Sequence, residues 1–439
     1  MKLSRHCYFR RYFDDVVVCD TKYRKFYIMN YMAADILEIL GNGSPSIESI
    51  VDKLKLQYDV SPEEIVTACG DFIHELKKIG LIEDSVNQVN LPLPTSFDCT
   101  SVLDVEQDFI QQLGKKETLY SALIELTHKC NLTCKHCYVI NSKRPSLQSE
   151  LTTQQVFNLL DDLYDNNVFR VIFTGGEVFV RPDFLRILEY AATKRFLIDI
   201  YSNGIDVSEE DIRKISKLNI RSFQSSLYGS NAITHDSITG HKGSFANTVR
   251  TLKLLSSLGI ATNIKSSFMK SNFSEYNGIK ALATDIGASF QPSFSIMPAI
   301  DGNKVALPLR VEDPLIIHKV MGFTRKNVTI DMEMRLSSHI CSAGLSGISI
   351  DPYGNVYACN TLRIKIGSIL DSSIKDIWDN SSELKMIRTL RNKNRKQCVQ
   401  CPHFDVCNFC PGIALTETGN MLKPYAEACT IAQAYSNIF

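Results

Sequence analysis

The chain reads as an α/β protein: a partial (β/α)6 barrel of the TIM type, with a winged-helix-like unit before it and a cysteine-rich domain after it. Three observations predict this. From Leu119 to about Lys304, strand-like and helix-like runs alternate, the pattern of parallel βα units whose active site lies at the strands' C-terminal ends. Ahead of that region, two strand-like runs are followed by three amphipathic helical ones. Behind it the alternation fades, and seven of the fourteen cysteines crowd the tail. At 439 residues the chain is too long for one ordinary core, so several domains are expected.

In chain order, Arg11–Cys19 and Arg24–Met29 alternate like a hairpin around a polar turn at Asp20–Lys22. Met32, Ile36, Leu37 and Leu40 then repeat at helical spacing, as do Ile47, Ile50, Val51 and Leu54. Ser61 reads as an N-cap with Pro62 at the first helical position and Glu64 closing a capping box, on a helix running to Gly80. Residues 1–83 form this front unit. From 84 to 116, Pro92, Pro94 and the lack of a sustained period predict a linker with one short helix. The barrel, residues 117–304, has strands near 122–126, 170–173, 198–201, 222–227, 262–268 and 289–296. Its helices run through Val156–Leu163, Phe184–Thr193, Phe245–Ser257 and Glu275–Ile286. Residues 305–439 form the tail, in which Gly347–Asn355 predicts a hairpin carrying Cys359, while Ile364–Trp378 and a helix over Glu383–Leu390 are scaffold.

Forty-eight basic residues balance 48 acidic ones, so no global field draws nucleic acid or an anionic membrane. The basic start, Met1–Asp15, has no apolar core behind it, and no apolar run approaches membrane-spanning length. A cytoplasmic protein is expected. In a reducing compartment fourteen cysteines point to metal or catalysis before disulfides. Cys7, Cys19, Cys69 and Cys99 stand alone and read as small buried apolar residues.

Cys130, Cys134 and Cys137 lie within eight residues directly after the first barrel strand. A loop can wrap three thiolates around one cube, and a four-iron cluster held by three cysteines keeps one iron open. A zinc knuckle completed by His128 or His136 is the alternative. Other candidate residues fall at the following strand ends: Thr174-Gly175-Gly176-Glu177, Ser202-Asn203-Gly204, and Ser226. In the tail, Cys341 and Cys359 are followed by Cys398-x2-Cys401-x5-Cys407-x2-Cys410 and then Cys429, a set that could hold two clusters or two zinc ions.

The C-x3-C-x2-C motif with those strand-end segments resembles the radical S-adenosylmethionine superfamily. The resemblance implies that Cys130, Cys134 and Cys137 hold a 4Fe–4S cluster whose open iron chelates S-adenosylmethionine. An electron from the cluster would break the sulfur–C5′ bond, and the 5′-deoxyadenosyl radical would take a hydrogen from substrate. By the same resemblance Gly175, Gly176 and Glu177 bind the methionine amino group, Ser202 and Asn203 contact the ribose, Ser226 lies near the carboxylate, and His136 packs on adenine. Many relatives carry an arginine for that carboxylate where Thr239 stands here, so its cation is unassigned.

The tail resembles the SPASM domain, which carries two auxiliary 4Fe–4S clusters and makes three in all. That resemblance assigns Cys398, Cys401, Cys407 and Cys429 to the distal cluster and Cys341, Cys359 and Cys410 to the proximal one. Seven thiols are one short of eight, leaving an open iron or a further ligand such as His403. Two residues, Asn408 and Phe409, separate Cys407 from Cys410 where the family usually has three. The front unit resembles the PqqD-type domain, which binds a leader peptide by strand addition. Its third helix carries Glu63, Glu64, Asp71 and Glu75 against Lys77 and Lys78, which disfavours a winged-helix role on DNA. Together these resemblances imply a maturase of a ribosomally made peptide. Its partners would be a precursor with a leader and an electron donor of flavodoxin or ferredoxin type, and its product a thioether or a carbon–carbon crosslink. The rivals are a sulfatase-maturing enzyme and an iron–sulfur redox sensor or electron carrier.

Overall fold

The computed structural model describes residues 1–23, 25–43, 45–58, 61–83, 99–139, 149–322 and 331–436. The chain divides into two compact units: Met1–Gln112 with Arg195–Leu197, and Leu113–Lys194 with Ile198–Phe439. Most of the expected linker, 84–98, and the side chain of Cys99 lie outside the described residues.

In the first unit, β1 (Lys2–Leu3) is followed by β2 (Cys7–Tyr12), β3 (Asp15–Asp20) and β4 (Lys25–Asn30), the last three forming one antiparallel sheet. The expected long strand Arg11–Cys19 is therefore two strands. A two-residue turn at Phe13-Asp14 divides it, pairing Tyr12 with Asp15, and Phe13 takes φ 56°. Glycine or asparagine normally signals that conformation, so a phenylalanine there hides the turn. The second turn falls where expected: the Asp20 carboxylate accepts from Lys22 N at 2.9 Å and Tyr23 N at 3.0 Å. Helices Tyr31–Gly41, Ile47–Lys55 and Pro62–Lys78 follow, then β5 (Ile82–Glu83), which pairs with β1. Ser61 and Glu64 form the capping box with Pro62 at the helix start. Val16, Val18, Ile36, Leu37, Leu40, Leu54 and Ile73 fill the core between sheet and helices.

The expected short linker helix is a 17-residue helix, Cys99–Lys115. Its buried positions Glu106, Phe109 and Leu113 follow helical spacing, but the acid among them masks the apolar period.

The second unit is built on β6 (Ser121–Thr127), β7 (Arg170–Gly175), β8 (Leu197–Tyr201), β9 (Ser222–Ser226), β10 (Thr262–Ser267) and β11 (Ser289–Ser293). These six lie side by side in chain order as the parallel sheet of a partial barrel. The tail adds β12 (Gly347–Ile350), β13 (Asn355–Tyr357) and β14 (Lys365–Ser368) to the same sheet. β12 runs parallel to β6, pairing Gly347 with Ser121 and Ile350 with Ile124. The hairpin was foreseen, but not its junction with the barrel.

Alternation along the strands separates two faces. Ala122, Ile124, Val171, Phe173, Ile198, Ile200, Phe223 and Ile264 are buried on one. Glu125, Asp199, Gln224, Ser226 and Lys265 share the other by register. Two short helices not anticipated, Glu209–Ile215 and Ala232–Thr239, complete the connections after β8 and β9. Each is too short for a convincing helical period.

Candidate active site

Two glycines shape the loop after β6. The strand irregularity near Glu125–Thr127 sets Thr127 opposite Gly175, where φ is 143° and a Cβ would run into the Thr127 carbonyl oxygen. A Cβ at Gly176 would meet the Lys129 carbonyl. With hydrogens there instead, Gly176 N donates to Thr127 O at 2.8 Å and Glu177 N to Lys129 O at 2.9 Å. From the other side, Thr133 N donates to Thr239 O at 3.1 Å and Lys135 N to Ile238 O at 3.0 Å. Thr239, at the position where many relatives carry an arginine, thus helps hold the cysteine loop through its carbonyl.

Inside this loop burial pushes the Cys130 thiol up to about 11 and Cys134 up to about 12, and the neighbouring thiols add to both shifts. Cys130 and Cys134 are therefore protonated alone, and cysteines here become thiolates when a metal core balances their charge. Leu132 N donates to Cys130 Sγ at 3.4 Å, a further support for a thiolate. Among the described residues no three His, Cys, Asp or Glu groups close around a single-ion site.

Glu177 is buried, and burial raises its pKa while hydrogen bonds oppose the rise. Its carboxylate accepts from Phe179 N at 3.0 Å, Asn203 N at 2.6 Å and Ser202 Oγ at 2.8 Å. Asn203 Nδ2 reaches Asn131 Oδ1 at 2.6 Å, and Asn131 Nδ2 in turn bonds Asp206 at 2.7 Å, so the ends of β7 and β8 are tied to the cysteine loop. The His136 ring lies edge-on to Tyr228, 4.5 Å between centroids. Burial pushes its pKa down to about 4, which keeps it neutral, and its buried Nδ1 has no hydrogen-bond partner. An orphaned ring nitrogen beside three thiols is a place prepared for a ligand.

Ser226 ends β9, and its register partner on β10 is Lys265. Paired residues on parallel strands share a face, so the two sit side by side. Desolvation lowers the Lys265 pKa, and among the described residues no acidic group opposes it. Lys265, Asn131 and Tyr228 were not among the sequence candidates. Only the alternation of β10 relative to Ser226 could have singled out the lysine.

The tail's thiols gather into two groups. Cys359 and Cys410 both act on the Cys341 thiol, and Cys359 acts on Cys410. Cys407 and Cys401 act on Cys398, while Cys407, Cys398 and Cys401 act on Cys429. The charge of Arg395 reaches Cys398 as well. His403 lies in the loop of the second group, with Nδ1 2.8 Å from Ser436 Oγ. Near Cys359, Arg363 Nη2 lies 2.6 Å from both oxygens of the fully buried Glu125 on β6. Burial alone would raise the Glu125 pKa, but His128 and Arg363 outweigh it and hold the carboxyl below its ordinary value.

Residues 124–270 match the radical SAM superfamily, residues 341–402 the SPASM iron–sulfur cluster-binding domain, and residues 15–82 coenzyme PQQ synthesis protein D. Over 303 residues the chain is 31% identical to the mycofactocin maturase MftC of Mycolicibacterium smegmatis, covering 64% of this chain and 75% of that protein. The chain belongs to the radical SAM superfamily. This radical SAM enzyme is also 29% identical over 412 residues to the antilisterial bacteriocin subtilosin biosynthesis protein AlbA of Bacillus subtilis, covering 90% of this chain and 86% of AlbA. Streptococcus suis SuiB, in a crystal structure bound to its precursor peptide SuiA, shares the fold with a TM-score of 0.62 at 12% identity, over 98% of this chain and 99% of SuiB. Radical SAM and SPASM domains together use S-adenosylmethionine and 4Fe–4S clusters. No helix among the described residues is long and apolar enough to cross a membrane.

Proposed function

We propose that this radical SAM enzyme is a cytoplasmic peptide maturase that joins a cysteine sulfur to a carbon of a ribosomally made precursor. The observation that carries this reading is the gathering of ten thiols into groups of three, three and four. Cys130, Cys134 and Cys137 hold the cluster that meets S-adenosylmethionine, Cys398, Cys401, Cys407 and Cys429 hold a complete auxiliary set, and Cys341, Cys359 and Cys410 hold one with a position left for a substrate thiol. The peptide-directed names of the relatives support the substrate class: AlbA serves subtilosin biosynthesis, MftC matures mycofactocin, and SuiB binds SuiA.

Bound there, S-adenosylmethionine and the clusters supply a 5′-deoxyadenosyl radical and an acceptor for one electron. The chain's own residues do the positioning. Glu177, fixed by Ser202, Asn203 and Phe179, faces the methionine ammonium within the cradle of Gly175 and Gly176. Ser202 and Asn203 meet the ribose, and His136, held by Tyr228, packs on adenine. Ser226 and Lys265, paired across β9 and β10, would receive the carboxylate, the cosubstrate's one anionic group, with Lys265 as its cation. Arg363 and Glu125 hold the loop bearing Cys359 against β6. Residues 1–83 grip the leader by strand addition to their sheet, and a flavodoxin- or ferredoxin-type protein delivers reducing electrons.

The net change would balance as follows: a substrate carbon would give up one hydrogen atom, the cysteine sulfur would lose its proton and join that carbon, and an auxiliary cluster held by the tail cysteines would supply the acceptor for the remaining electron. Mass spectrometry of the turned-over precursor with and without iodoacetamide tests this. The expected product is two hydrogens lighter with one cysteine that no longer alkylates. An equally lighter product whose cysteines all alkylate would mean a carbon–carbon crosslink instead.

A further inference from the structure

Two guanidinium groups flank Cys407. Arg395 is completely buried, with Nη1 3.7 Å from Cys407 Sγ and Nη2 2.8 Å from Asn392 Oδ1. Its plane is sandwiched between Phe404 and Phe409, 4.7 and 4.8 Å from their ring centroids. Arg335 donates from Nη2 to the Cys407 carbonyl at 2.8 Å. The Nε–H of each arginine is buried without an acceptor. Among the described residues neither forms an ion pair with a carboxylate, and Asp405 acts on Arg335 only through its field.

A buried guanidinium without an anion is strongly unfavourable, and two side by side repel each other. Neutral Asn392 and two aromatic rings do not supply the missing charge. The four thiols beside them do so when they hold an iron–sulfur core as thiolates, because the core with its four thiolates is a net anion and gains one more negative charge on reduction. A fixed cation and free N–H donors at such a cluster stabilise the reduced form more than the oxidised one.

We propose that Arg395, assisted by Arg335, holds the reduction potential of the auxiliary cluster on Cys398, Cys401, Cys407 and Cys429 high enough for it to take up the electron left when the substrate bond forms. This rests on the ligand assignment made above. Reduction adds one electron to the cluster and moves no atom, and the arginines act on it through charge and hydrogen bonding.

The test uses full-length protein reconstituted anaerobically, with iron analysis and a redox titration followed by electron paramagnetic resonance. In Arg395→Gln the iron content is expected to hold while reduction of one auxiliary cluster becomes about tenfold less favourable, about 59 mV for one electron. The other two potentials stay put, and Arg395→Lys, which keeps the charge, moves the same potential less. Arg335→Gln shifts it in the same direction and decides the matter if Arg395→Gln does not fold. Intact iron with unmoved potentials in the glutamine variants overturns the tuning role. The ligand assignment is checked separately with Cys398→Ala/Cys401→Ala: unaltered iron there overturns that assignment, whereas iron loss there leaves the potentials to decide.

Discussion

Lys265 shows what a single residue adds when its neighbours are known. A lysine on a strand is unremarkable in sequence, and Gln291 beside it on β11 gives no hint of chemistry. Its meaning comes from the register that sets it against Ser226 and from the absence, among the described residues, of any acidic group acting on it. A hydrogen bond to a charged group contributes roughly 1.5–3 kcal/mol. Lys265→Ala is therefore expected to weaken S-adenosylmethionine binding by roughly 10- to 100-fold, measured by equilibrium dialysis on the iron-loaded enzyme. Affinity for the peptide should be unchanged. Unaltered cosubstrate affinity, with peptide affinity reduced instead, would move Lys265 to the substrate side. The close backbone approach at Gly175 and Gly176 was legible because two glycines at a strand end carry their own geometry. The pairing of Lys265 with Ser226 was not, because register is a property of two strands.

Among the elements, the junction of β12 with β6 and the ion pair above it join the tail to the barrel as one sheet. Glu125 is pulled below the ordinary carboxyl value near 4.5, so its stabilising contribution is complete above that value and fades as pH falls through the lowered one. Replacing Arg363 by methionine leaves a buried carboxylate with only His128 beside it, which is expected to cost about 3–5 kcal/mol at pH 7. The gap between parent and Arg363→Met in urea unfolding should begin to shrink above pH 4.5, as pH falls through the Glu125 pKa that burial raises in the variant, and should go on shrinking until Glu125 is protonated in both proteins. A gap that widened in acid would contradict the pairing. Sequence patterns located every barrel strand: β6, β7 and β8 each carry buried apolar residues, whereas β11 has no buried residue and is marked by the alternation of strand-like and helix-like runs. They missed the turn at Phe13 and the helices Glu209–Ile215 and Ala232–Thr239, where a strained non-glycine residue or a helix of two turns leaves little periodic signal.

In the whole molecule, the spacing of the cysteines along the chain separated Cys130, Cys134 and Cys137 from the tail set, and folding draws Cys410 away from its sequence neighbours to Cys341 and Cys359 and brings Cys429 to Cys398, Cys401 and Cys407. No cluster ligand is assigned to residues 1–83. Removing them should spare reductive cleavage of S-adenosylmethionine, seen as 5′-deoxyadenosine by chromatography, and should collapse modification of a precursor carrying its leader. A truncated enzyme that modified the full precursor at the parent rate would end the recognition role. That a radical made in the barrel acts on a peptide is tested by measuring 5′-deoxyadenosine and precursor mass in one anaerobic reaction with a leader-bearing precursor peptide. We predict one deoxyadenosine for each precursor made two hydrogens lighter, and neither product from Cys130→Ala/Cys134→Ala/Cys137→Ala. Deoxyadenosine accumulating equally with and without a peptide whose mass never changes would mean that the radical does not act on the peptide.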